Sequence, residues 1–264
     1  MKNGRKLDRG NRSGSFKNTF KKWFSLKDDA APNDEIRDRL LSGGQITGTN
    51  MCVMVCAIVI ASAGLNTDSV AVIIGAMLIS PIMGTILAMA YGAASNDASL
   101  VSNYAAGFAF QVVASILTAT VYFLLSPIKT ATPQLIARTN PSFIDMIIAI
   151  AGGIAGIIGQ TRADKSNNII PGVAIATALM PPLCTCGYAI ANGEWRMLGG
   201  AFYLFAINAF FIFFAGTVIL VLLKTPKVNE LTDAEWRKMR RKMIRNTLIL
   251  IIPCAVAAAS IYLS

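Results

Sequence analysis

Two apolar stretches of the chain are interrupted by proline at their midpoints, and the two stretches resemble each other. They read VIIGAMLISPIMGTI over residues 72–86 and VAIATALMPPLCTCG over residues 173–187. When the two strings are aligned from their first residues, Pro81 matches Pro182. A proline inside a helix removes one backbone hydrogen bond, and the freed groups need other partners in a hydrocarbon environment. In transporters, such broken helices commonly contact the substrate or ion. A duplicated broken helix therefore constrains both the fold and the function of this chain.

The composition excludes an ordinary soluble domain. Hydrophobic residues make up 54% of the 264 residues, charged residues only 14%, and the mean hydropathy is +0.55. So few polar side chains cannot cover the surface of a water-soluble fold of this size. We therefore expect an all-α integral membrane protein that crosses the lipid bilayer several times.

Seven apolar segments are long enough to cross a bilayer, which requires about 20 residues. They cover residues 46–65, 69–94, 100–125, 143–160, 169–191, 198–223 and 246–263. Lysine and arginine predict the orientation, because they are enriched in cytoplasmic loops. Of the 24 such residues, 21 fall in the amino-terminal tail and in the loops after the second, fourth and sixth spans, and three fall in the other loops. The amino terminus is therefore expected in the cytoplasm and the carboxy terminus outside.

The similarity of the second and fifth spans predicts a repeat of three spans. Spans one to three form repeat one, residues 46–125, and spans four to six form repeat two, residues 126–225. Because the unit has an odd number of spans, the second copy enters the membrane in the opposite direction. Residues 1–45 form a basic cytoplasmic tail, residues 226–245 a basic cytoplasmic helix, and residues 246–264 an extra seventh span. The alternative is that small and apolar residues align by chance in two unrelated membrane helices.

Polar side chains cluster around both proline breaks and predict a solute path. The residue before a proline is pushed out of the α region, so Ser80–Pro81 and Pro181–Pro182 should open or kink their helices near mid-membrane. Hydroxyl and amide side chains close to these points could line the opening. The candidate path comprises Gly75, Ser80, Pro81, Gly84, Thr85, Gln111, Thr177, Pro181, Pro182, Thr185 and Asn208. The alternative is that the kinks serve helix packing only.

Glycines predict close contacts between helices. Gly75, Gly84 and Gly187 flank the breaks and would allow another backbone to approach. Gly152 and Gly156 form a small-xxx-small pair in the fourth span. We expect this pair to pack inside one subunit, and a contact between the subunits of a homo-oligomer is the alternative.

Ionisable and catalytic side chains are scarce in the predicted spans. The chain has no histidine, and no lysine, arginine, aspartate or glutamate falls in the middle of a span. A carboxylate that exchanges protons, as in pumps, is therefore missing unless Asp68 or Asp145 reaches inward. The common catalytic triads and zinc-protease motifs are excluded. We expect no enzyme activity, no cofactor and no metal site, since the cysteines and methionines that could bind copper(I) are also ordinary apolar residues of helices.

Asp145 lies in the first turns of the fourth span, after Asn140–Pro141. An acidic residue at this position complements the helix dipole and can cap the helix. We therefore expect a structural role for Asp145, with Arg138 as its partner at the outer surface.

Three strings in the chain, SVAVIIGAMLISPIMGTILAMAYG, ARTNPSFIDMIIAIAGGIAG and PGVAIATALMPPL, occur in the order found in one membrane family. On these motifs the chain resembles the bacterial family called domain of unknown function 389. The resemblance covers about residues 49–225. It implies a duplicated helical core of unassigned activity in the bacterial cytoplasmic (inner) membrane, and it leaves the basic tail and the seventh span outside.

The basic segments are expected to lie on the membrane surface. Four aromatic residues between positions 16 and 24 share one face of a helix that also carries lysines. A second short helix should begin at Asn33 and end at Gly43–Gly44. The helix within residues 226–245 begins with a capping box and is rich in arginine and lysine. Attraction to anionic lipid headgroups accounts for this charge, so we predict no nucleic-acid partner.

Together these features predict a transporter or channel-like permeation protein for a small uncharged or anionic solute. The site would form where the broken second and fifth spans meet. The alternative is a non-transporting membrane scaffold, lipid-binding protein or sensor whose basic parts recruit a partner or respond to lipid. A polar cavity between spans two and five that water can reach favours the first function, and a sealed apolar core with an exposed lipid groove favours the second.

Overall fold

The computed structural model describes residues 29–163 and 179–228, together with Arg241. Within these ranges the chain is helical, and its extended pairing is one antiparallel bridge between Ala30 and Arg162. The helices are Asn33–Gly43 (α1), Gly48–Asn66 (α2), Val70–Ile79 (α3), Ile82–Ala94 (α4), Ala98–Leu125 (α5), Pro133–Ile136 (α6), Phe143–Thr161 (α7), Met180–Asn192 (α8) and Trp195–Leu222 (α9).

Four of the described helices are long and apolar enough to cross a membrane, namely α2, α5, α7 and α9. Helices α3 and α4 together form a fifth candidate, bent by 46° at the Ser80–Pro81 break. These five agree with the predicted spans one, two, three, four and six. The fifth predicted span is described only from Leu179 onwards, as α8, and the seventh lies outside the described residues. The structure thus supports a helical membrane fold, while the count of seven spans stays a prediction.

Local capping explains where several helices begin. The side chains of Thr47, Asp97 and Thr132 each accept a hydrogen bond from a backbone amide in the first turn of the helix that follows. Ser142 and Asp145 form a reciprocal capping box at the start of α7. The predicted capping role of Asp145 is confirmed. The short helix predicted after Asn33 is also present, and it ends at Gly43 as expected.

Helix lengths recur along the described chain. Helices α2 and α7 each have 19 residues, α4 and α8 each have 13, and α5 and α9 each have 28. The packing recurs as well, because α4 and α8 each contact both α5 and α9, while α2 packs on α5 as α7 packs on α9. The same succession of lengths and neighbours therefore occurs twice.

The connections between helices gather at two ends of the bundle. At one end, which we call the tail end, Ala31 donates to the carbonyl of Thr161, and Val228 donates to the carbonyl of Ser95, both at 2.8 Å. At the opposite end, the Asn66 amide donates to the Ser126 hydroxyl at 2.5 Å. Alternate connections thus lie at the same end, as expected when consecutive spans run in opposite directions.

Candidate functional site

The first break lies between α3 and α4. Helix α3 ends at Ile79, Ser80 is extended (φ −76°, ψ 127°), and Pro81 resumes a helical conformation (φ −82°, ψ −4°). The proline ring disfavours the α conformation at the preceding residue, which accounts for the extended Ser80. Helix ends leave backbone carbonyls and amides without partners inside the helix. The predicted opening of the helix at Ser80–Pro81 is confirmed.

Two polar side chains meet one turn beyond this break. Thr85 on α4 and Gln111 on α5 are 0% and 1% exposed. The Thr85 hydroxyl lies 2.9 Å from Gln111 Oε1, to which it donates, and 3.4 Å from the carbonyl oxygen of Gly44. A hydroxyl has one hydrogen to donate, so the longer contact is the weaker alternative. The structure therefore joins two of the predicted path residues in one buried hydrogen bond.

A second polar group continues this pair along α5. The Ser115 hydroxyl donates to the main-chain carbonyl of Gln111 at 2.7 Å and lies 3.6 Å from the sulfur of Met54 on α2. Ser115 and Met54 are both fully buried. Sequence reasoning had not assigned either residue to the site, although their polar and polarizable atoms extend it towards α2.

Ser80 places a buried hydroxyl at the break itself. Its oxygen is inaccessible to solvent and has no hydrogen-bond partner among the described residues. Buried polar groups normally have such a partner, and leaving one without a partner costs about 1–3 kcal/mol. No described residue therefore satisfies the Ser80 hydroxyl.

The second predicted break is described only from Leu179 onwards. Helix α8 begins at Met180, with Pro181 and Pro182 in its first turn, where an amide would have no partner inside the helix. The opening or kink predicted at Pro181–Pro182 stays a prediction, because the helix is described only from its first turn onwards. Thr177 and the preceding part of the predicted span lie outside the described residues.

Around the second break, the polar side chains do not join those of the first. Thr185 is fully buried, and its hydroxyl donates to the carbonyl of Pro181 in the same helix at 3.0 Å. Asn208 is buried on α9. In the described chain no hydrogen bond connects Thr85 or Gln111 with Thr185. The predicted meeting of the two broken spans in one site stays a prediction, because Thr177 and its neighbours lie outside the described residues.

The glycines near the breaks differ in their surroundings. A Cβ atom at Gly84 would collide with the backbone carbonyl of Gly43, and one at Gly187 would collide with Ala119 on α5. Close approach is therefore confirmed at these two positions. The prediction of a close approach is wrong for Gly75, where a Cβ atom would meet no described atom within 4 Å. Gly75 lies on an exposed face of α3, and no described residue packs against it.

Charged and metal-binding side chains do not form a site in the described part of the chain. No group of three potential ligands occurs there. Cys52 and Cys56 are exposed on α2, whereas Cys184 and Cys186 are buried on α8, so the four described cysteines face different surroundings.

The predicted pairing of Arg138 with Asp145 is wrong. The Asp145 carboxylate instead accepts hydrogen bonds from the amide and the hydroxyl of Ser142, both at 2.7 Å, as the capping box requires. Burial lowers the pKa of Arg138, and the charge of Asp145 opposes that shift from a distance. Within the described ranges, the ion pair that does form joins Arg39 and Glu35 of α1.

Comparison with known proteins gives a family and one relative of similar sequence. The family model described as "Domain of unknown function (DUF389)" matches residues 77–214. An uncharacterized protein of Methanocaldococcus jannaschii is 31% identical over 174 residues, which cover 64% of this chain and 52% of that protein. The chain thus spans about half the length of the relative that it matches. No solved structure matches.

Proposed function

The chain belongs to the DUF389 family, which is defined without an assigned function, and from that premise we propose that it conducts a small uncharged or anionic solute across a membrane. The path would run past the breaks in the second and fifth spans. The observation that supports this most directly is the first break, where Ser80, Thr85 and Gln111 place polar atoms inside the bundle.

Polar groups at this depth are expensive in a membrane protein. Hydrocarbon offers them no hydrogen bonds, and they recur in membrane spans mainly where they serve a solute pathway or bridge helices. The Thr85–Gln111 bond does bridge α4 and α5. The Ser80 hydroxyl, by contrast, bridges no described elements. A role in packing accounts for the first of these groups, and no described residue gives such a role to the second.

An inverted repeat is part of the proposal. The duplicated helix lengths favour it, and so do two pairs of residues that lie 97 positions apart, Gln111 with Asn208 and Ala119 with Gly216. The second pair makes corresponding contacts, since Gly187 of α8 meets Ala119, while Gly216 meets Ala90 of α4. Each half-helix after a break therefore packs through small residues on the long helix of the other repeat unit.

The chemistry of the break favours a small neutral or anionic solute. Helix α4 begins at its break, and the amides at a helix amino terminus carry partial positive charge. Neither α4 nor α8 contains a charged side chain. Hydroxyl groups and backbone amides can donate to an anion or to a neutral polar molecule, but they give a cation little compensation for its lost hydration.

The proposed orientation places the tail end in the cytoplasm. Five basic residues lie there, in the segments that lead into or out of spans, namely Arg37, Arg39, Arg162, Lys224 and Lys227. Such enrichment is typical of the cytoplasmic side, where anionic headgroups attract basic segments.

A flux measurement tests the proposal. Pro81→Ala and Pro182→Ala each return an amide to the backbone and allow a continuous helix, which favours a closed break. Proteoliposomes that contain the protein should admit at least one of urea, glycerol, nitrate or formate, and each substitution should reduce that flux about tenfold or more, a loss equivalent to about 1.4 kcal/mol. Pro133→Ala, at the start of α6 outside the break, is the matched control and should leave the flux unchanged.

Thiol labelling gives an independent measurement. A cysteine at Ser80 should react with a small charged thiol reagent, because a path must contain water at some stage of its cycle. A cysteine at Leu117, which is 60% exposed on the outer face of α5, should stay unreactive in the bilayer. If the Ser80 cysteine is equally unreactive and no probe crosses, the alternative function as a scaffold, lipid-binding protein or sensor is favoured.

A further inference from the structure

The segment that precedes the first span crosses the tail end of the bundle, and we call residues 29–47 the strap. Its beginning is attached to the end of α7. Ala31 donates to the carbonyl of Thr161, and Ala163 donates to the carbonyl of Asp29, both at 2.8 Å. Arg39 adds a side-chain hydrogen bond to the carbonyl of Arg162 at 2.6 Å. The first half of the strap is thus held by repeat two.

The far end of the strap rests on the broken span of repeat one. The carbonyl oxygen of Gly43 occupies the space where a Cβ atom of Gly84 would lie, so only glycine fits at position 84. A Cβ atom at Gly44 would lie 2.6 Å from that of Ala88 on α4. The Tyr104 hydroxyl of α5 holds the same turn by donating to the carbonyl of Leu41 at 2.8 Å. The glycine turn therefore sits directly beside the first turns of α4.

The turn also reaches the polar site. The Gly44 carbonyl lies 3.4 Å from the Thr85 hydroxyl, the same group that donates to Gln111. If Thr85 turns its hydrogen from Gln111 to Gly44, the bond to the strap strengthens and Gln111 loses a donor. The Gly44 carbonyl of the strap and the Gln111 side chain of the proposed solute site thus compete for the hydrogen of the Thr85 hydroxyl.

Several features make the strap separable from the bundle. Helix α1 has 11 residues and buries only Ile36 and Leu40, so few apolar contacts hold it in place. Its end carries two consecutive glycines, which allow the chain to change direction at little steric cost. Segments with few buried contacts and such hinges are typical of lids that open without unfolding the core.

We propose that the strap is a gate that closes the tail-end mouth of the site between α4 and α5, and that the site opens to this side when the glycine turn leaves Gly84. The inference rests on the proposed permeation function. In this inference the segment that moves is the Gly43–Gly44 turn. The surface against which it closes is formed by Gly84, Ala88 and Tyr104.

A reversible cross-link tests the gate. In a variant whose native cysteines are replaced by alanine, Gly44→Cys and Ala88→Cys place two thiols on opposite sides of the contact. Disulfides need Cβ atoms about 3.5–4.5 Å apart, so a shift of about 1 Å from the observed contact suffices. Oxidation should reduce the flux of the permeant probe about tenfold, and dithiothreitol should restore it. Because each sample serves as its own control, a folding defect cannot imitate this result.

A second variant should act in the opposite direction. Gly84→Ala places a methyl group where the Gly43 carbonyl now lies, so the turn must move away and the flux should rise. Gly48→Ala is the matched control, since a Cβ atom at Gly48 meets nothing within 4 Å, and its flux should equal that of the unmodified protein. Size-exclusion chromatography establishes that both variants are folded.

Labelling of a Ser80→Cys variant from the tail end separates this inference from the proposed function. If no probe crosses in any variant, but the cross-link slows labelling at position 80 and Gly84→Ala accelerates it, the gate is supported and the permeation function is not. If probes cross and neither flux nor labelling responds to the cross-link, permeation stands and the gate is overturned. A Gly84→Ala variant that folds and has unchanged labelling would also overturn the gate.

Discussion

The contact between α8 and α5 makes a quantitative prediction about stability. A Cβ atom at Gly187 would collide with the Cβ of Ala119 and lie 2.7 Å from the amide nitrogen of Thr120. These atoms belong to the backbone or are attached directly to it, so Gly187→Ala can be accommodated only if the helices separate. Overpacking of this kind costs about 1–3 kcal/mol, and membrane helices depend on such close approaches for their association.

Two other glycines provide a graded comparison. At Gly216 the nearest atoms are 3.2 Å and 3.3 Å away, on Ile157 and Ala90, and small movements of the isoleucine can relieve the first contact. At Gly199 there is open space, so alanine should stabilise α9 by its helix propensity, about 0.5–1 kcal/mol. We expect the stability order Gly199→Ala, then Gly216→Ala, then Gly187→Ala. The extremes should differ by about 2–3 kcal/mol.

Thermal unfolding in detergent micelles, followed with a thiol-reactive fluorescent dye, measures this series. Cys184 and Cys186 are buried and report unfolding once Cys52, Cys56 and Cys254 are replaced by alanine. A difference of 2–3 kcal/mol corresponds to about 4–12 °C in Tm for a chain of this size. Equal Tm values for Gly187→Ala and Gly199→Ala would refute the reasoning, because they would mean that α5 and α8 are not in close contact.

Three further predictions concern the polar site, a helix cap and the orientation. Thr85→Val leaves the Gln111 side chain without its donor and should lower the free energy of unfolding by about 1–3 kcal/mol. Adding Gln111→Leu should return part of that loss in a double-mutant cycle measured with the same dye. Additive losses would contradict the hydrogen bond. The Leu100 amide and the Ser99 hydroxyl lower the pKa of the Asp97 cap, so its stabilising effect exists above the unfolded-state pKa of about 4 and is lost as the pH falls through the folded-state value. Asp97→Ala should therefore lower the Tm at pH 7, by an amount equivalent to about 1 kcal/mol, and the difference from the unmodified protein should shrink in acid; a difference independent of pH would contradict this cap. Cysteine labelling in intact cells should place Lys21 inside and Arg138 outside, and the reverse pattern would contradict the proposed orientation.

Much of the helical framework follows from the sequence alone. The predicted spans 46–65, 100–125 and 143–160 agree with α2, α5 and α7 to within two residues at each end. This agreement is expected because apolar runs, caps and prolines act over a few neighbouring residues. The break at Ser80–Pro81 belongs to the same class, since the proline ring disfavours the α conformation at the residue before it.

The tertiary structure alone decided which residues meet. Gly75 and Gly84 flank the same break, yet one lies in open space and the other holds the glycine turn of the strap. Thr85 and Thr185 have similar positions after their prolines, but one bonds to a neighbouring helix and the other to its own backbone. These outcomes depend on how each helix is rotated about its axis and on which distant segment packs against it. Both are set by the simultaneous packing of all helices, which local sequence does not encode.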